Sequence, residues 1–267
     1  AAASDVYKRQ REGRTGHHPM RLSDKVALIT GAARGIGAAT ARRFVAEGAQ
    51  VALADRRREQ GEALAAELSE AGTCIALPAD LRDEAQCNRL ADEVSEREGK
   101  LEILVNNAGV LRPTNIEDIS LEEWDFVVNG NLRTTFLCSK AVIPLMKEKG
   151  WGRIINISSS AGKNVSTIGG PHYTSAKAAV LGLTRHIAKV LAEYGITVNA
   201  ICPGLIDTDM VRSTISPERT SEYAASFPMK RLGKTKEIAQ LVQFLSSDQA
   251  AYITGASVDI NGGDLMV

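Results

Sequence analysis

The sequence predicts an α/β fold: a single domain built on a doubly wound parallel sheet of seven strands. Short apolar, β-branched runs alternate with longer stretches of helical periodicity, which is the pattern of a parallel sheet covered by helices on both faces. The 267 residues suffice for one large domain, and no repeat or low-complexity linker divides them. The strand candidates are Lys25–Thr30, Gln50–Asp55, Cys74–Asp80, Leu101–Asn106, Gly152–Ser158, Thr197–Ile201 and Ser257–Ile260.

Helical patterns lie between these runs. Crossovers between parallel strands are right-handed, and such sheets bind ligands beyond the carboxyl ends of their strands, where the strand order reverses. We therefore expect site residues directly after the strand candidates. The predicted helices cover residues 35–47, 57–71, 83–97, 121–149, 173–194 and 235–247.

Charge and composition argue against several classes of protein. The 32 basic and 32 acidic residues balance and no basic block is long, so nothing indicates a nucleic-acid partner. No apolar run approaches the ~20 residues of a membrane span. The four cysteines are scattered without a C-x-x-C motif, which favours idle thiols in a reducing cytoplasm over disulfides or a metal site. We expect a cytoplasmic protein with no metal and no membrane contact.

Residues 1–19 differ from the rest of the chain. They are polar, show no helical or strand period, and lack the apolar core of a signal peptide. Met20 directly precedes the first strand signal and would be a natural start. We interpret 1–19 as a disordered leader or a cloning or translation artefact, without a metal role for its two histidines, and 20–267 as the single domain.

The first strand candidate runs into a glycine-rich turn. Thr30–Gly37 has the pattern T-G-x-x-x-G-x-G, whose glycines permit a tight turn and let the backbone approach a phosphate. The helix that follows offers free N–H groups and the positive end of its dipole to an anion. Glycine-rich turns are common without any ligand, but this one lies between a strand and a helix near the start of an alternating chain. It predicts a Rossmann-like dinucleotide site.

The second strand candidate ends in Asp55. A carboxylate there is placed to accept hydrogen bonds from both ribose hydroxyls of an adenosine. It would repel a 2′-phosphate, because two unit charges ~4 Å apart cost about 4 kcal/mol at an effective dielectric of ~20. Asp55 therefore favours NAD as the cofactor. Arg34 and Arg56–Arg58 are counter-evidence, since guanidinium groups hold phosphates, unless these side chains are simply solvated.

Polar and small residues follow the third and fourth strand candidates. Asp80 is expected to accept from an adenine amino group or to cap the next helix, and the two roles are compatible. Asn106–Gly109 offers small residues that let the backbone pass close to a flat cofactor, and amides that tie neighbouring strands together. For Asn107 the main expectation is structural support.

Tyr173 and Lys177 are four residues apart, so they lie one above the other on one face of a predicted helix. A free phenol titrates near pH ~10, too high for a base at neutral pH, and an ammonium group beside it favours the phenolate. Tyr173 would then exchange a proton with a substrate hydroxyl. Taken alone, this spacing is also that of a chance surface pair, and the order of the other motifs decides between the two.

The ordered set of motifs resembles the short-chain dehydrogenase/reductase family. The resemblance covers residues 22–263 and is strongest to the compact branch that includes 3-oxoacyl-carrier-protein reductases and sugar and polyol dehydrogenases. Each motif is modest, whereas their order and spacing are specific. The matching positions are Thr30–Gly37, Asp55, Asp80, Asn106–Gly109, Asn131, Ser159, Tyr173, Lys177 and Pro203–Gly204.

The resemblance implies roles for three residues around the reacting oxygen. Tyr173 is the general acid/base, and Lys177 lowers its pKa and holds the nicotinamide ribose. Ser159 hydrogen-bonds the substrate oxygen and stabilises charge that develops there. Ser159 is chosen over Ser158 and Ser160 because the family's serine precedes x-x-G.

A fourth catalytic role and the cofactor contacts also follow from the resemblance. Asn131 matches the asparagine that holds a water on the proton path to Lys177, and Asn129 is its rival. The segment from Pro203 to Thr208 resembles the one that closes on the nicotinamide. The cofactor-binding residues so implied are Gly31, Arg34, Gly35, Ile36, Gly37, Asp55, Asp80, Leu81, Asn107, Ala108, Gly109, Tyr173, Lys177, Pro203, Gly204, Ile206 and Thr208.

Two stretches are expected to select the substrate. One is Lys163–Pro171, and the other is a helical lid near 207–228. Neither contains an arginine cluster for a phosphate or carboxylate, although Lys163, Arg212 and Arg219 could assist. His172 adjoins Tyr173, but adjacent helix residues point in different directions, so a surface or pocket-rim position is expected for it.

Together these observations predict an NAD(H)-dependent oxidoreductase that interconverts a secondary alcohol and a ketone. The expected substrate is a small sugar, polyol or other hydroxy compound, in the oxidative sense. An NADPH-dependent 3-oxoacyl thioester reductase is the alternative enzyme. A non-catalytic dinucleotide-binding regulator on the same fold is the alternative of another class, and the intact catalytic positions argue against it. The resemblance also implies a homotetramer.

Overall fold

The computed structural model of the chain describes residues 21–267. The interpretation of residues 1–19 as a leader lies outside the described residues. The strands are β1 (Val26–Thr30), β2 (Gln50–Asp55), β3 (Cys74–Pro78), β4 (Ile103–Asn106), β5 (Gly152–Ile157), β6 (Ile196–Pro203), β7 (Ile206–Asp207), β8 (Gly233–Lys234) and β9 (Ser257–Ile260).

The α-helices alternate with the strands along most of the chain. Short 3₁₀ turns at Ile116–Asp118, Ser160–Gly162, Ala192–Tyr194 and Asp248–Ala250 complete the regular structure of the described residues. The helices are α1 (Gly35–Ala46), α2 (Arg58–Ser69), α3 (Glu84–Glu98), α4 (Leu121–Val128), α5 (Thr134–Lys149), α6 (Pro171–Leu191), α7 (Asp209–Thr214), α8 (Pro217–Ser226) and α9 (Thr235–Ser246).

Seven strands form one parallel sheet in the order β3-β2-β1-β4-β5-β6-β9. The chain builds outward from β1 in one direction through β2 and β3, then returns and builds in the other direction from β4. This reversal opens a crevice at the carboxyl ends of β1 and β4. The predicted fold class is therefore confirmed, and the predicted motifs lie at this end of the sheet.

The core lies on both faces of the sheet because successive side chains of a strand point to opposite sides. In β1, Ala27 and Ile29 pack into a cluster with Phe44 of α1. Val26 and Leu28 belong to a second cluster, which includes apolar residues of α3, α5 and α6. All five residues of β1 and all eight of β6 are buried, which explains why these strands appear in the sequence as continuous apolar runs.

One predicted helix, residues 121–149, is divided in the structure. A π-helical turn, Asn129–Arg133, separates α4 from α5. The Asn131 side-chain amide donates to the carbonyls of Val110 and Val127, both at 2.8 Å, and a Cβ on Gly130 would lie 2.6 Å from the Val110 side chain. The wide turn thus directs Asn131 inward, a placement that helical periodicity alone does not predict.

The predicted lid near 207–228 consists of α7 and α8, and β7 and β8 pair beside it. The Tyr223 hydroxyl of α8 donates to the Thr167 carbonyl at 3.1 Å, which joins the lid to the loop after β5. None of the helices within 21–267 has the length and apolar character needed to cross a membrane.

Candidate active site

A cleft opens at the carboxyl ends of β1, β4, β5 and β6, and most of the predicted site residues line it. A recess beside it, which we call the Asp55 recess, is lined by Asp55, Asp80 and Leu81 with Arg56, Arg57 and Arg82. Gly37 lines neither the cleft nor the Asp55 recess. The predicted residues in the cleft are Gly31, Arg34, Gly35, Ile36, Asn107, Ala108, Gly109, Asn131, Ser159, Tyr173, Lys177, Pro203, Gly204, Ile206 and Thr208.

Helix α6 carries Tyr173 and Lys177 into the cleft, one turn apart. It begins at Pro171, whose fixed backbone angle suits the first helical position. The Lys177 ammonium donates to the Ile157 carbonyl at the end of β5 (2.9 Å) and lies 5.7 Å from the centre of the Tyr173 ring. The β5 strand end therefore fixes the lysine beside the phenol.

Ser159 follows β5 and is hydrogen-bonded to the Tyr173 phenol. Ser158 is buried and donates its hydroxyl to the Lys177 carbonyl at 2.8 Å. Ser160 also lines the cleft. Of the three serines, Ser159 is the one paired with the tyrosine, and Ser158 serves to anchor α6.

Burial dominates the electrostatics of this pair. Burial raises the pKa of Tyr173 above its usual value, and the hydrogen bond from Ser159 only partly opposes this. Burial also lowers the pKa of Lys177 to about 8, with a smaller opposing contribution from Cys202. The expected lowering of the tyrosine pKa by the lysine is not found in the protein alone, because desolvation outweighs an ammonium group that is directed toward Ile157.

Asn131 brings an unused acceptor to the same place. Its side-chain oxygen is buried and makes no hydrogen bond to the residues the structure describes. A Cβ on Gly109 would lie 2.7 Å from this oxygen and 3.5 Å from the Lys177 ammonium nitrogen, so both groups flank Gly109. Asn129, the alternative, is not among the described residues that line the cleft.

The glycine-rich turn is shaped by close backbone contacts. Gly31 has φ of +61°, and a Cβ there would lie 2.8 Å from the Ala108 Cα. A Cβ on Gly37 would lie 2.4 Å from the Gly31 carbonyl oxygen, so Gly37 serves the packing of the turn. The Asn107 amide donates to the Thr30 and Gly31 carbonyls, both at 3.0 Å, as its predicted structural role requires.

Helix α1 starts from this turn without a side-chain cap. Arg34 occupies the N-cap position and makes no capping hydrogen bond. The N–H groups of the first helical turn are thus left to a ligand in the cleft, together with the positive end of the helix dipole. The Arg34 guanidinium lies 4.0 Å from the Asp209 carboxylate at the start of α7, which connects the turn to the lid.

The Asp55 carboxylate is almost fully buried, with 7% of the residue exposed. It accepts from the Ala33 N–H (3.1 Å) and from the Arg57 N–H (3.0 Å), and the Arg57 guanidinium lies 3.4 Å away. Asp55 thus joins the glycine-rich turn to the turn after β2. Oδ2 accepts only from the Ala33 N–H and so retains a lone pair for a ligand, whereas both bonds from Arg57 go to Oδ1.

Asp80 lies in the Asp55 recess but does not cap α3. Asp83 is the cap, accepting from the N–H groups of Ala85 and Gln86. The capping alternative for Asp80 is therefore wrong. The Arg82 guanidinium holds the Asp80 carboxylate and lowers its pKa to about 2, so Asp80 is an ionised acceptor at the edge of the recess.

The segment after β6 closes one wall of the cleft. Pro203, Gly204 and Ile206 line the wall, and the Thr208 hydroxyl caps α7 by accepting from the Val211 N–H at 3.4 Å. A Cβ on Gly204 would lie 2.8 Å from Asn261, which explains a glycine there. The segment from Pro203 to Thr208 thus lines the cleft, and its contact with a nicotinamide stays a prediction.

His172 is fully buried, and its expected surface or rim position is wrong. Its Nε2 lies 3.0 Å from a carboxylate oxygen of Glu123 in α4. Its ring stacks against that of Trp124, with 6.4 Å between the ring centres. The physical reason is the start of α6, where the side chain before Tyr173 points away from the cleft and packs against α4. His172 connects these helices.

Several cleft residues were missed by the sequence reasoning. Asp209, Met210 and Val211 begin α7 directly after the predicted Thr208 and fall within the predicted lid near 207–228, which did not single them out. Leu111 follows the predicted Asn106–Gly109 turn in the same way. Ile168 lies within Lys163–Pro171, a stretch expected to select the substrate, but the irregular loop gives no signal for that particular residue.

Comparisons with known proteins agree with this geometry. A family profile described as enoyl-(acyl carrier protein) reductase matches residues 31–264. The chain is 41% identical over 252 residues to an uncharacterized short-chain type dehydrogenase/reductase of Sinorhizobium fredii, covering 92% of this chain and all of that one. It is 39% identical over 248 residues to a 3-oxoacyl-[acyl-carrier-protein] reductase of Escherichia coli, covering 93% of this chain and all of that one. The crystal structure of the 3-oxoacyl-[acyl-carrier protein] reductase from Brucella melitensis is similar with a TM-score of 0.86 and 35% identity, covering 95% of this chain and 98% of that one.

Proposed function

The chain belongs to the short-chain dehydrogenase/reductase family, and on that premise we propose that it is an NAD(H)-dependent enzyme interconverting a secondary alcohol and a ketone. The substrate is a small hydroxy compound, a class that includes the expected sugars and polyols as well as simple alcohols. The observation that carries the proposal is the meeting of Tyr173, Ser159 and Lys177 beside the glycine-rich turn.

The residues of the cleft fit a nicotinamide dinucleotide. The uncapped start of α1 suits a pyrophosphate, because its free N–H groups and dipole favour an anion. Gly31 leaves open the space that a side chain would fill against Ala108. Tyr173 and Lys177 would hold the ribose next to the nicotinamide, and Pro203 to Thr208 would cover it. When bound, the cofactor accepts or supplies the hydride.

Asp55 supports NAD over NADP. Its buried carboxylate keeps a lone pair on Oδ2 for a ribose hydroxyl and would lie against a 2′-phosphate. Arg57 is already engaged by Asp55, and Arg58 pairs with Glu62 on the exposed face of α2 at 3.5 Å. Arg57 and Arg58, which could have bound the 2′-phosphate of NADP, therefore pair with carboxylates of this chain.

The proton is moved by the protein itself. In reduction the Tyr173 phenol gives its proton to the substrate oxygen, and in oxidation the Tyr173 phenolate takes the proton of the substrate hydroxyl. Ser159 is hydrogen-bonded to the same phenol, so it can donate to the substrate oxygen as charge develops. Lys177, with a pKa near 8, exchanges protons close to neutral pH, and the free Asn131 oxygen beside Gly109 would hold a water that links it to solvent.

The second candidate is an NADPH-dependent 3-oxoacyl thioester reductase. It is favoured by the reductases of Escherichia coli and Brucella melitensis to which the chain is similar. Arg34 at the glycine-rich turn and Arg56 in the Asp55 recess would then serve the 2′-phosphate. Tyr173 would again be the group that exchanges the proton, and the reaction would run from the ketone to the alcohol.

The test is the absorbance of reduced nicotinamide with NAD and NADP in parallel. The panel holds secondary alcohols, polyols, sugars and hydroxy acids, with an acetoacetyl thioester in reverse. Turnover of a small alcohol with NAD, lost in Tyr173→Phe while cofactor binding remains, is the expected result. Activity only on the thioester with NADPH would select the second candidate. NAD binding without any turnover would reject both in favour of a non-catalytic regulator.

A further inference from the structure

We propose that the substrate is an uncharged, mainly apolar ketone or secondary alcohol, and that polyols, sugars, hydroxy acids and phosphorylated compounds are excluded. This rests on the proposed function, because it concerns the carbon skeleton that carries the reacting oxygen. It narrows the class of small hydroxy compounds to its least polar members.

The substrate region can be separated from the rest of the cleft. The reacting oxygen must contact Tyr173 and Ser159, and the glycine-rich turn and the Asp55 recess are taken by the expected cofactor motifs. The remaining lining comes from the turn after β4, the loop after β5 and the start of the lid. Apart from Asp209, whose carboxylate faces Arg34 and Arg212, we call these residues the substrate wall: Leu111, Ser160, Ala161, Ser166, Thr167, Ile168, Leu205, Met210 and Val211.

Six of the nine residues of the substrate wall have hydrocarbon or thioether side chains. Leu111, Ala161 and Val211 are buried, so their side chains form packed surface rather than a solvated edge. Ile168 and Met210 are partly buried and come from the two segments that the sequence marks as substrate-selecting. A ligand bound here would replace contacts with water by contacts with apolar side chains over most of its surface.

The polar groups of the substrate wall are few and partly occupied. The Ser166 hydroxyl accepts from the Gly169 N–H at 2.8 Å. Thr167 is exposed at the mouth, and its carbonyl accepts from Tyr223. Asp209, at the start of the lid, also lines the cleft, but its carboxylate is exposed and lies 4.0 Å from Arg34 and 3.6 Å from Arg212. The nine residues of the wall themselves carry no carboxylate, amide, imidazole or cation. A sugar or polyol needs a partner for each buried hydroxyl, and these side chains do not supply them.

The cations that could assist an anionic substrate are bound elsewhere. Lys163 donates to the Asp259 carboxylate at 2.7 Å and to the Ser257 carbonyl at 2.9 Å. Arg212 pairs with Asp207 at 2.9 Å, and Arg219 contacts Glu222 and Tyr223. None of these three basic residues is among the described residues that line the cleft.

The cations that do line the cleft are engaged as well. Lys177 is fixed on the Ile157 carbonyl, Arg57 on Asp55, and Arg34 lies near Asp209. A carboxylate or phosphate on the substrate would lose its water without gaining an ion pair. The wall therefore selects against charge as well as against multiple hydroxyls.

The test compares rings of one size that differ only in polarity. Cyclohexanol, myo-inositol and 4-hydroxycyclohexanecarboxylate are assayed as substrates of the wild-type enzyme with saturating NAD. One hydroxyl placed in an apolar pocket costs on the order of a hundredfold in selectivity, so kcat/KM for cyclohexanol should exceed that for myo-inositol by more than about a thousandfold. Equal or faster turnover of either polar ring would overturn the proposal.

A binding measurement separates this inference from the proposed activity. Fluorescence of NADH bound to Tyr173→Phe is titrated with cyclohexanone and with the ketone of myo-inositol. If no ring is turned over but cyclohexanone binds the NADH complex much more tightly, the substrate class stands and the proposed activity fails. Comparable affinity for the polar ketone, or no binding of cyclohexanone, would refute the substrate class.

Two methionines provide a matched pair of variants. Met210→Gln places an amide of similar size in the substrate wall, whereas Met229→Gln makes the same change at a residue that is 58% exposed and outside the cleft. Met210→Gln should lower kcat/KM for cyclohexanol about tenfold and reduce its preference over myo-inositol. Met229→Gln should leave both values within about twofold. An unchanged preference in Met210→Gln would contradict the assignment of the wall.

Discussion

At the scale of single residues, the charge of Lys177 is strongly affected by its surroundings. Burial lowers its pKa to about 8 from a usual value of 10.5. Below pH 8 both folded and unfolded protein keep this proton, so the full cost of burying the charge is present. Between pH 8 and 10.5 the folded protein has lost the proton while the unfolded protein keeps it, so this cost fades as the pH rises.

Lys177→Met should therefore abolish turnover and stabilise the protein at neutral pH. The pKa shift corresponds to about 3 kcal/mol, and the loss of the hydrogen bond to Ile157 removes about 1 kcal/mol, which leaves a gain of roughly 2 kcal/mol at pH 7. The gain should disappear as the pH approaches 10.5. Denaturant unfolding of both proteins from pH 7 to 10.5 measures it. A difference that does not change with pH would mean that Lys177 is not titrating in this window.

Asp55 has structural hydrogen bonds and a proposed contact with the cofactor, and substitutions can separate the two roles. Asp55→Ala should raise the ratio of kcat/KM with NADP to that with NAD by about a hundredfold or more, because a repulsion of about 4 kcal/mol is removed. It should also lose about 1–3 kcal/mol of stability, since the Ala33 and Arg57 N–H groups lose their acceptor.

Asp55→Asn is the matched control, because the amide keeps one acceptor oxygen and the shape but loses the charge. It should shift the cofactor ratio with a smaller loss of stability. If both variants keep the wild-type ratio, Asp55 does not contact the ribose.

The positions of single site residues could be predicted from the sequence, but their electrostatic properties and burial could not. The positions of Tyr173, Ser159 and Asn131 followed from the order of motifs. The pKa of Tyr173 did not, because it depends on how strongly the packed cleft excludes water. The burial of His172 likewise depends on the contact between two helices that are distant in sequence.

At the scale of elements, the contact between α4 and α6 holds the tyrosine in place. His172 immediately precedes Tyr173 and is hydrogen-bonded to Glu123, whose pKa is lowered by Thr114 first and by His172 next. The histidine Nδ1 is buried and has no partner among the described residues, so the Glu123 contact is the hydrogen bond that its ring makes there. We infer that Glu123 is a positioning residue for the start of α6.

Glu123→Gln should lower kcat several-fold with little change in the KM for NAD, because the reacting tyrosine shifts while the cofactor turn does not. The melting temperature should fall slightly, because the hydrogen bond to His172 is weakened when the carboxylate becomes an amide. Steady-state kinetics and thermal unfolding measure the two effects. Glu122→Gln, at the exposed neighbouring position, is the control and should be neutral. If kcat/KM fell by the same factor for NAD and for the substrate, the substitution would instead have destabilised the whole site.

Elements differ in how well they could be predicted. The bounds of β2 and β9 were predicted as found. For β2 the reason is that a buried parallel strand is a continuous apolar run with polar ends. The π-helical turn was missed because it depends on Asn131 reaching Val110 across the fold. The β7–β8 pair was missed because two-residue strands carry no period.

At the scale of the whole molecule, the expected homotetramer requires apolar surface on the helices that face another copy. Phe136 of α5 and Val190 of α6 are 45% and 48% exposed, and Trp124 of α4 is 38% exposed. Large apolar side chains at this exposure on neighbouring helices are consistent with the subunit contacts that the resemblance implies.

Phe136→Asp should therefore convert the expected tetramer to a smaller species, because a carboxylate is costly to bury in such a contact. Light scattering coupled to size exclusion measures the mass. Ile116→Asp, at a 74% exposed position outside these helices, is the control and should keep the wild-type mass. A Phe136→Asp protein of unchanged mass would place the interface elsewhere.

The hydrogen bonds of the Asp55 carboxylate have a consequence for the rates of amide hydrogen exchange. The Ala33 N–H donates to Asp55 with no ligand involved, whereas the first N–H groups of α1 have no side-chain cap. In D₂O the Ala33 amide should exchange slowly in the free protein, and the amides of Gly35 and Ile36 should exchange quickly until a dinucleotide is added. The first part of the glycine-rich turn is thus held by Asp55 before any ligand binds, whereas the exchange rates of Gly35 and Ile36 should report when a ligand is bound.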